Sequence, residues 1–247
     1  MPPMSAPSAT EIARLMRLQG FAGSVRAIKD PIVEPRWDGI RVVVAADGGA
    51  GVGTGVGAGE RTAAMFDSGD LLDGHPGLVA AFRDATAATT DALVVEAWLT
   101  RQVASSDVGV YVGPDDQTPS TAEFLGSVLL GSRAAQRRER TEHLEAAQAA
   151  RSLDPGDRLD LVVVDLLWLD GTSLLDVPLQ ERKRLLESVV PAGDLVRPGI
   201  HVRPPIDSWV GSWRAQGFGG LTFKAANSRY RPGEPATDWA TTPMPRR

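Results

Sequence analysis

Residues 159–171 read Leu159-Asp160-Leu161-Val162-Val163-Val164-Asp165-Leu166-Leu167-Trp168-Leu169-Asp170-Gly171. A near-continuous apolar run of this length, rich in β-branched residues and closed by Asp-Gly, predicts a buried strand ending in a tight turn. Pro178 then precedes Leu179-Gln180-Glu181-Arg182-Lys183-Arg184-Leu185-Leu186-Glu187, which predicts a helix with residues 179, 185, 186 and 189 facing inward. Upstream, Ala92 to Leu99 is a second apolar strand with Glu96 inside it, and Ile40 to Ala46 is a third, running into a turn at Asp47-Gly48-Gly49. A carboxylate buried unpaired in a strand is costly, so Glu96 belongs either on an open face or in a site.

Shorter elements fill the gaps. A frayed terminus (residues 1–10) leads to an amphipathic helix with Ile12, Leu15, Met16 and Leu18 near one side, and 61–66 reads as a return strand. His75-Pro76-Gly77 opens a helix through Phe82, and residues 121–151 read as a helix with a basic cluster at Arg133, Arg137, Arg138 and Arg140. That cluster is either a solvated face or a nucleic-acid patch. A strand at 200–203, a helix around Trp209–Trp213, a strand at 221–224 and a largely irregular tail from Ala225 complete the chain. The glycine-rich stretch Gly48 to Gly59 fits no G-x-G-x-x-G register and opens no helix, so it reads as a hairpin loop rather than a dinucleotide cradle. Mixed elements without regular βαβ alternation predict an α+β fold with antiparallel sheets.

Composition narrows the chemistry. The 247 residues contain no cysteine and three scattered histidines, His75, His143 and His201, which argues against disulfides, thiolate sites and a His-based zinc centre. A net charge of −5 makes tight binding to a phosphate backbone unexpected. No apolar run is long enough to span a bilayer and no signal peptide is evident, so a cytoplasmic location is expected. Among the 26 basic residues only Lys29, Lys183 and Lys224 are lysines.

Glu34-Pro35-Arg36-Trp37-Asp38-Gly39-Ile40-Arg41 resembles the first motif, E-x-K-x-D-G-x-R, of the covalent nucleotidyltransferases, above all the ATP-dependent DNA ligases. Further resemblances follow in the family's order: Val95-Glu96; Val164 to Gly171 with Pro178-Leu179-Gln180-Glu181-Arg182, the most specific; Gly217 to Lys224; and Ser228-Arg229-Tyr230-Arg231-Pro232-Gly233. Trp239 sits where the family places the Trp of its last motif. The resemblance implies a nucleotidyltransferase (ATP-grasp-like) domain over residues 25–240, with antiparallel sheets around an ATP cleft, a tail and short helix at 1–24, a tail at 241–247, and no OB-fold domain. ATP and Mg2+ are the cofactors it implies.

Self-adenylation in that family needs a lysine amine to attack the α-phosphorus of ATP. Here the position is Arg36, whose guanidinium stays protonated and can hold a phosphate but is a very poor nucleophile. Gly219 replaces a carboxylate used near the metal, Gly69 an arginine, and Val164 an adenine-stacking aromatic; no lysine follows Trp239. The resemblance leaves Glu34 on the adenine side, Asp38, Gly39 and Arg41 on the ribose and phosphate side, Glu96 for ribose or metal, and Lys224 for phosphate. Asp38-Gly39 also reads as a plain turn, Glu96 as an exposed strand residue and Lys224 as a solvated strand end. The expectation is a degenerate adenylation domain, a pseudoenzyme that keeps nucleotide binding. The alternatives are a helper or interaction module with a protein partner in DNA repair, or an active nucleotidyltransferase with an unusual nucleophile.

Overall fold

A computed structural model describes residues 7–48, 61–102 and 159–244. The expected helix at 121–151 with its basic cluster, and the glycine-rich stretch beyond Gly48, lie outside these residues.

The expected α+β architecture is present, with two antiparallel-based sheets. Strands β1 (Gly20–Phe21), β2 (Pro31–Pro35), β3 (Ile40–Asp47), β4 (Thr62–Asp67) and β5 (Asp70–Leu71) precede β6 (Ala92–Thr100), β7 (Asp160–Leu169), β8 (Thr172–Ser173) and β9 (Val196–Pro198). Strands β10 (Gly220–Ala225), β11 (Pro235–Ala236) and β12 (Trp239–Pro243) follow, and the helices are α1 (Ala9–Leu15), α2 (Pro76–Thr86), α3 (Leu179–Val189) and α4 (Asp207–Ala215). The larger sheet is seven-stranded in the order β5-β4-β3-β6-β7-β8, with β9 also pairing β7; the smaller has the order β12-β10-β2. A short parallel pair joins β1 to β11.

Strands β3, β6 and β7 are buried on both faces, which is why they read as continuous apolar runs rather than alternating ones. One face packs on α2, α3 and β9 through Val42, Val44, Val95, Leu166 and Phe82. The other meets α1, Tyr230 and Trp239 through Val43, Ala45, Val94 and Leu167. A third cluster, built on Trp37, Trp213, Phe218 and Phe223, joins the small sheet to α4 and takes in Val164. No helix among the described residues is long and apolar enough to cross a membrane.

Several expectations are corrected. The inward residues of α1 are Ala9 and Ala13, with Met16 buried at its C-cap as expected, while Leu15 is 78% exposed. Small side chains let the helix approach the sheet, and Asp47 fixes it there by accepting from the backbone N–H groups of Ala9 (2.6 Å) and Thr10 (2.9 Å). Residues 200–203 form no strand beyond a bridge between Val33 and Val202; the ladder forms instead at Val196–Pro198, parallel to β7. Pro204 and Pro205 lack the donors to extend pairing. The tail holds two strands, because Trp239–Pro243 finds a partner in β10 that local composition does not announce.

The Asp170-Gly171 turn is as expected, with φ of 44° and 87°. The Asp170 carboxylate also accepts from Thr90 Oγ1 (2.6 Å) and from the backbone N–H groups of Asp91 (3.0 Å) and Ala92 (2.9 Å), locking the start of β6. We predict that Asp170→Ala costs about 1–3 kcal/mol in chemical denaturation, since it orphans these donors; a loss within error of zero would show that water replaces the carboxylate.

Candidate functional site

Glu34 lies on β2, opposite Thr222 of β10 in an antiparallel register. Lys224, two residues farther along β10, is its diagonal neighbour, and its ammonium reaches Glu34 Oε2 at 2.9 Å. Lys183 of α3 contacts the other carboxylate oxygen, Oε1. All three side chains are almost completely removed from solvent. The Lys224 ammonium also lies 4.5 Å from the centroid of the Trp239 ring. Lys29 is exposed.

Charged residues on the inner face of α3 were not expected. Its buried positions are Leu179, Arg182, Lys183, Leu186 and Val189, the i, i+3, i+4, i+7 stripe of a docked helix, and Leu185 is only half-buried. The stripe itself was the available signal: Arg182 and Lys183 occupy its middle turn between two leucines. Arg182 forms a bidentate pair with Asp165, both bonds at 2.8 Å, and donates to the carbonyls of Val177 and Ser228. The pair satisfies itself inside the core.

Glu96 is buried rather than on an open face. It pairs in register with Val43 on one side and Asp165 on the other. Its Oε1 accepts from Arg41 Nη2 at 2.6 Å, and its Oε2 accepts from the Tyr230 hydroxyl at 2.7 Å. Arg41 also donates to the carbonyl of Gln19 and lies 4.9 Å from the Phe21 ring centroid. Both Glu96 oxygens are thus engaged, and no group of three metal-ligating side chains occurs among the described residues. A divalent cation cage is therefore not built from these residues; a cation carried on a polyphosphate needs only one or two carboxylates.

Asp38 is exposed, and the Asp38-Gly39 turn is tied to the end of β6 by the bond from Thr100 Oγ1 to the Asp38 carbonyl (2.6 Å). A Cβ on Gly39 would lie 2.2 Å from the carbonyl oxygen of Leu99, so this position requires glycine. Arg36, half-buried, lays its guanidinium against the backbone of Gly219 and Gly220: a Cβ on Gly220 would lie 3.1 Å from Arg36 Cζ, and one on Gly219 3.4 Å from Nη2. Gly69 forms the β4–β5 turn, where a Cβ would meet Arg17 and the carbonyl of Arg14.

Electrostatics follow from this packing. Burial alone would raise the Glu34 pKa, yet the ammoniums of Lys183 and Lys224 outweigh it and hold the carboxyl at about 2. Burial pushes Lys183 down, and Lys224 adds to that against the pull of Glu34. Burial likewise pushes His201 down, with Lys183 contributing. Burial opposes the charged form of Arg41, but Glu96 overcomes it and the guanidinium is stabilised. The Tyr230 hydroxyl is pushed up by burial and by Glu96, so it is a firm donor.

Residues 131–241 match the family model described as ATP dependent DNA ligase domain. The multifunctional non-homologous end joining protein LigD of Mycobacterium bovis is 34% identical over 82 residues, which is 33% of this chain and 11% of that protein. The crystal structure of the ligase domain from M. tuberculosis LigD aligns with a TM-score of 0.58 at 21% identity, covering 94% of this chain and 60% of that one. A mycobacterial DNA ligase D complexed with ATP and MES aligns with a TM-score of 0.58 at 20% identity, with the same coverage. The chain thus spans a small part of its curated relative, and the structural likeness establishes the fold.

Because the folded Glu34 value of about 2 lies below the ordinary 4.5, its stabilisation is complete above pH 4.5 and is lost as the pH falls toward 2. We predict an acid-side stability loss on the order of 3 kcal/mol over that interval in denaturant titrations, missing from Glu34→Gln. Parallel pH profiles for the two proteins would contradict the assignment. At pH 7 Glu34→Gln should cost about 3–5 kcal/mol, because it leaves two buried ammoniums uncompensated.

Proposed function

We propose that this chain, by family an ATP-dependent DNA ligase nucleotidyltransferase domain, is a degenerate adenylation domain that holds an adenine nucleotide without forming a covalent adenylate. One observation carries the reading: position 36 is Arg, and its guanidinium lies against Gly219-Gly220, with no carboxylate side chain at either glycine. A guanidinium stays protonated and can grip a phosphate, but it offers no free amine.

The other groups support the same reading. Lys183 and Lys224 are both engaged with Glu34, so neither is a ready substitute nucleophile. Bound ATP with Mg2+ would supply an electrophilic α-phosphorus; the chain's part is to orient and neutralise it. We assign Lys224 to the phosphates, Glu34 to the base, and Asp38-Gly39 to the rim of the cleft. Arg41 and Glu96 are committed to each other, which favours a role in shaping the wall on the ribose side. Among the described residues no cation cage is built, which fits a metal that arrives on the nucleotide. We place the protein in the cytoplasm, with DNA contacts weakened by the net charge of −5. A second reading, a non-enzymatic helper within a DNA repair or ligation system, draws support from the end-joining role in the name of the LigD relative.

Incubation with α-labelled ATP and Mg2+, followed by denaturation, should leave no label on the protein; retained label, or sealing of nicked DNA, would establish an active enzyme instead. Arg36→Lys alone should restore little labelling, because the carboxylate at 219 and the lysines after Trp239 are also missing. Millimolar ATP should raise Tm by mass action. No thermal shift would favour the helper reading.

A further inference from the structure

The buried charges of the site do not balance, and the imbalance has one location. Arg41 and Glu96 form a one-to-one pair, as do Arg182 and Asp165. Glu34 instead stands between two ammoniums, and among the described residues neither lysine has another carboxylate within ion-pair range. This cluster therefore carries one surplus positive charge behind almost complete burial. Such a charge is costly unless an anion offsets it.

We propose that Lys183 is a positioning residue that serves as the internal counter-ion of Glu34, so that the charge of Lys224 is left for the polyphosphate of a bound nucleotide. Without Lys183, Glu34 would neutralise Lys224 completely and the anion would meet a net-neutral cluster. Lys183 lies one residue beyond Arg182, whose own charge is spent on Asp165, so α3 delivers one cation to the scaffold and the next to the site. The inference rests on the nucleotide-binding reading above, yet it is tested separately from it.

Calorimetry with ATP and with inorganic tripolyphosphate, on wild type, Lys183→Met, Lys183→Arg and the double variant Glu34→Gln/Lys183→Met, makes the test. Lys183→Met keeps Glu34 paired to Lys224, and thermal unfolding verifies that each variant is folded. The single variant should bind both ligands at least about tenfold more weakly, as the loss of one charge near a partly screened anion implies. Lys183→Arg should return to within about threefold of wild type for both ligands, and the double variant, which restores the surplus charge without restoring the lysine, should do so for tripolyphosphate, which lacks the base assigned to Glu34. A purely structural role for Lys183 would leave the double variant as weak toward tripolyphosphate as the single one, and that result overturns the proposal. So does a Lys183→Met protein that binds like wild type, or a wild type that binds neither ligand. Tripolyphosphate binding with the expected variant pattern but no binding of ATP would sink the nucleotide reading and leave the counter-ion role standing.

Discussion

One carboxylate fixes the relative positions of three elements. Glu34 on β2 is held by Lys224 on β10 and by Lys183 on α3, and all three side chains are buried. Charges kept from water cannot drift apart without exposing an uncompensated ion, so strand register and helix docking are coupled through this contact. The backbone reinforces it: the N–H groups of Leu179 and Gln180, at the start of α3, donate to the carbonyls of Ser228 and Ala226, just past β10. Next along α3, Arg182 reaches Asp165 in the centre of the large sheet. The two sheets are thereby joined through consecutive residues of one helix.

The segment with the most specific family resemblance turns out to be scaffold. Asp165 and Arg182, from its two halves, satisfy each other in the core, while Leu166, Leu167 and Leu179 pack against opposite walls. Two of the positions where the chain departs from the family pattern, Arg36 and Gly219, face each other at the mouth of β2 and β10, while a third, Val164, is packed in the core.

The large strands were legible because burial on both faces leaves an unbroken apolar signature, as in Leu161 to Leu167. The Asp170-Gly171 turn was legible because its positive φ values select those residues. The short ladders were not: Trp239–Pro243 and Val196–Pro198 exist because a partner strand receives them, and nothing local encodes the partner. The inner face of α3 was missed for a related reason. Hydrophobic periodicity counts Arg182 and Lys183 as solvent-facing, and only their buried counter-charges, distant in sequence, reverse that reading. For α1 the error was of size, since Ala9 and Ala13 pack inward while the larger Leu15 does not.

The contact between Arg36 and the Gly219-Gly220 backbone bears on how such a domain can change over time. A side chain at 220 would meet both the carbonyl of Thr242, 2.6 Å from its Cβ, and the guanidinium of Arg36. A larger residue at 219 would grow into the space beside that same guanidinium. A carboxylate at 219 placed beside Arg36 would be drawn into an ion pair with it, so the residue types at the two positions are coupled. Changes at 36, 219 and 220 are therefore linked by direct contact, and a substitution at one alters the space and charge met by the others.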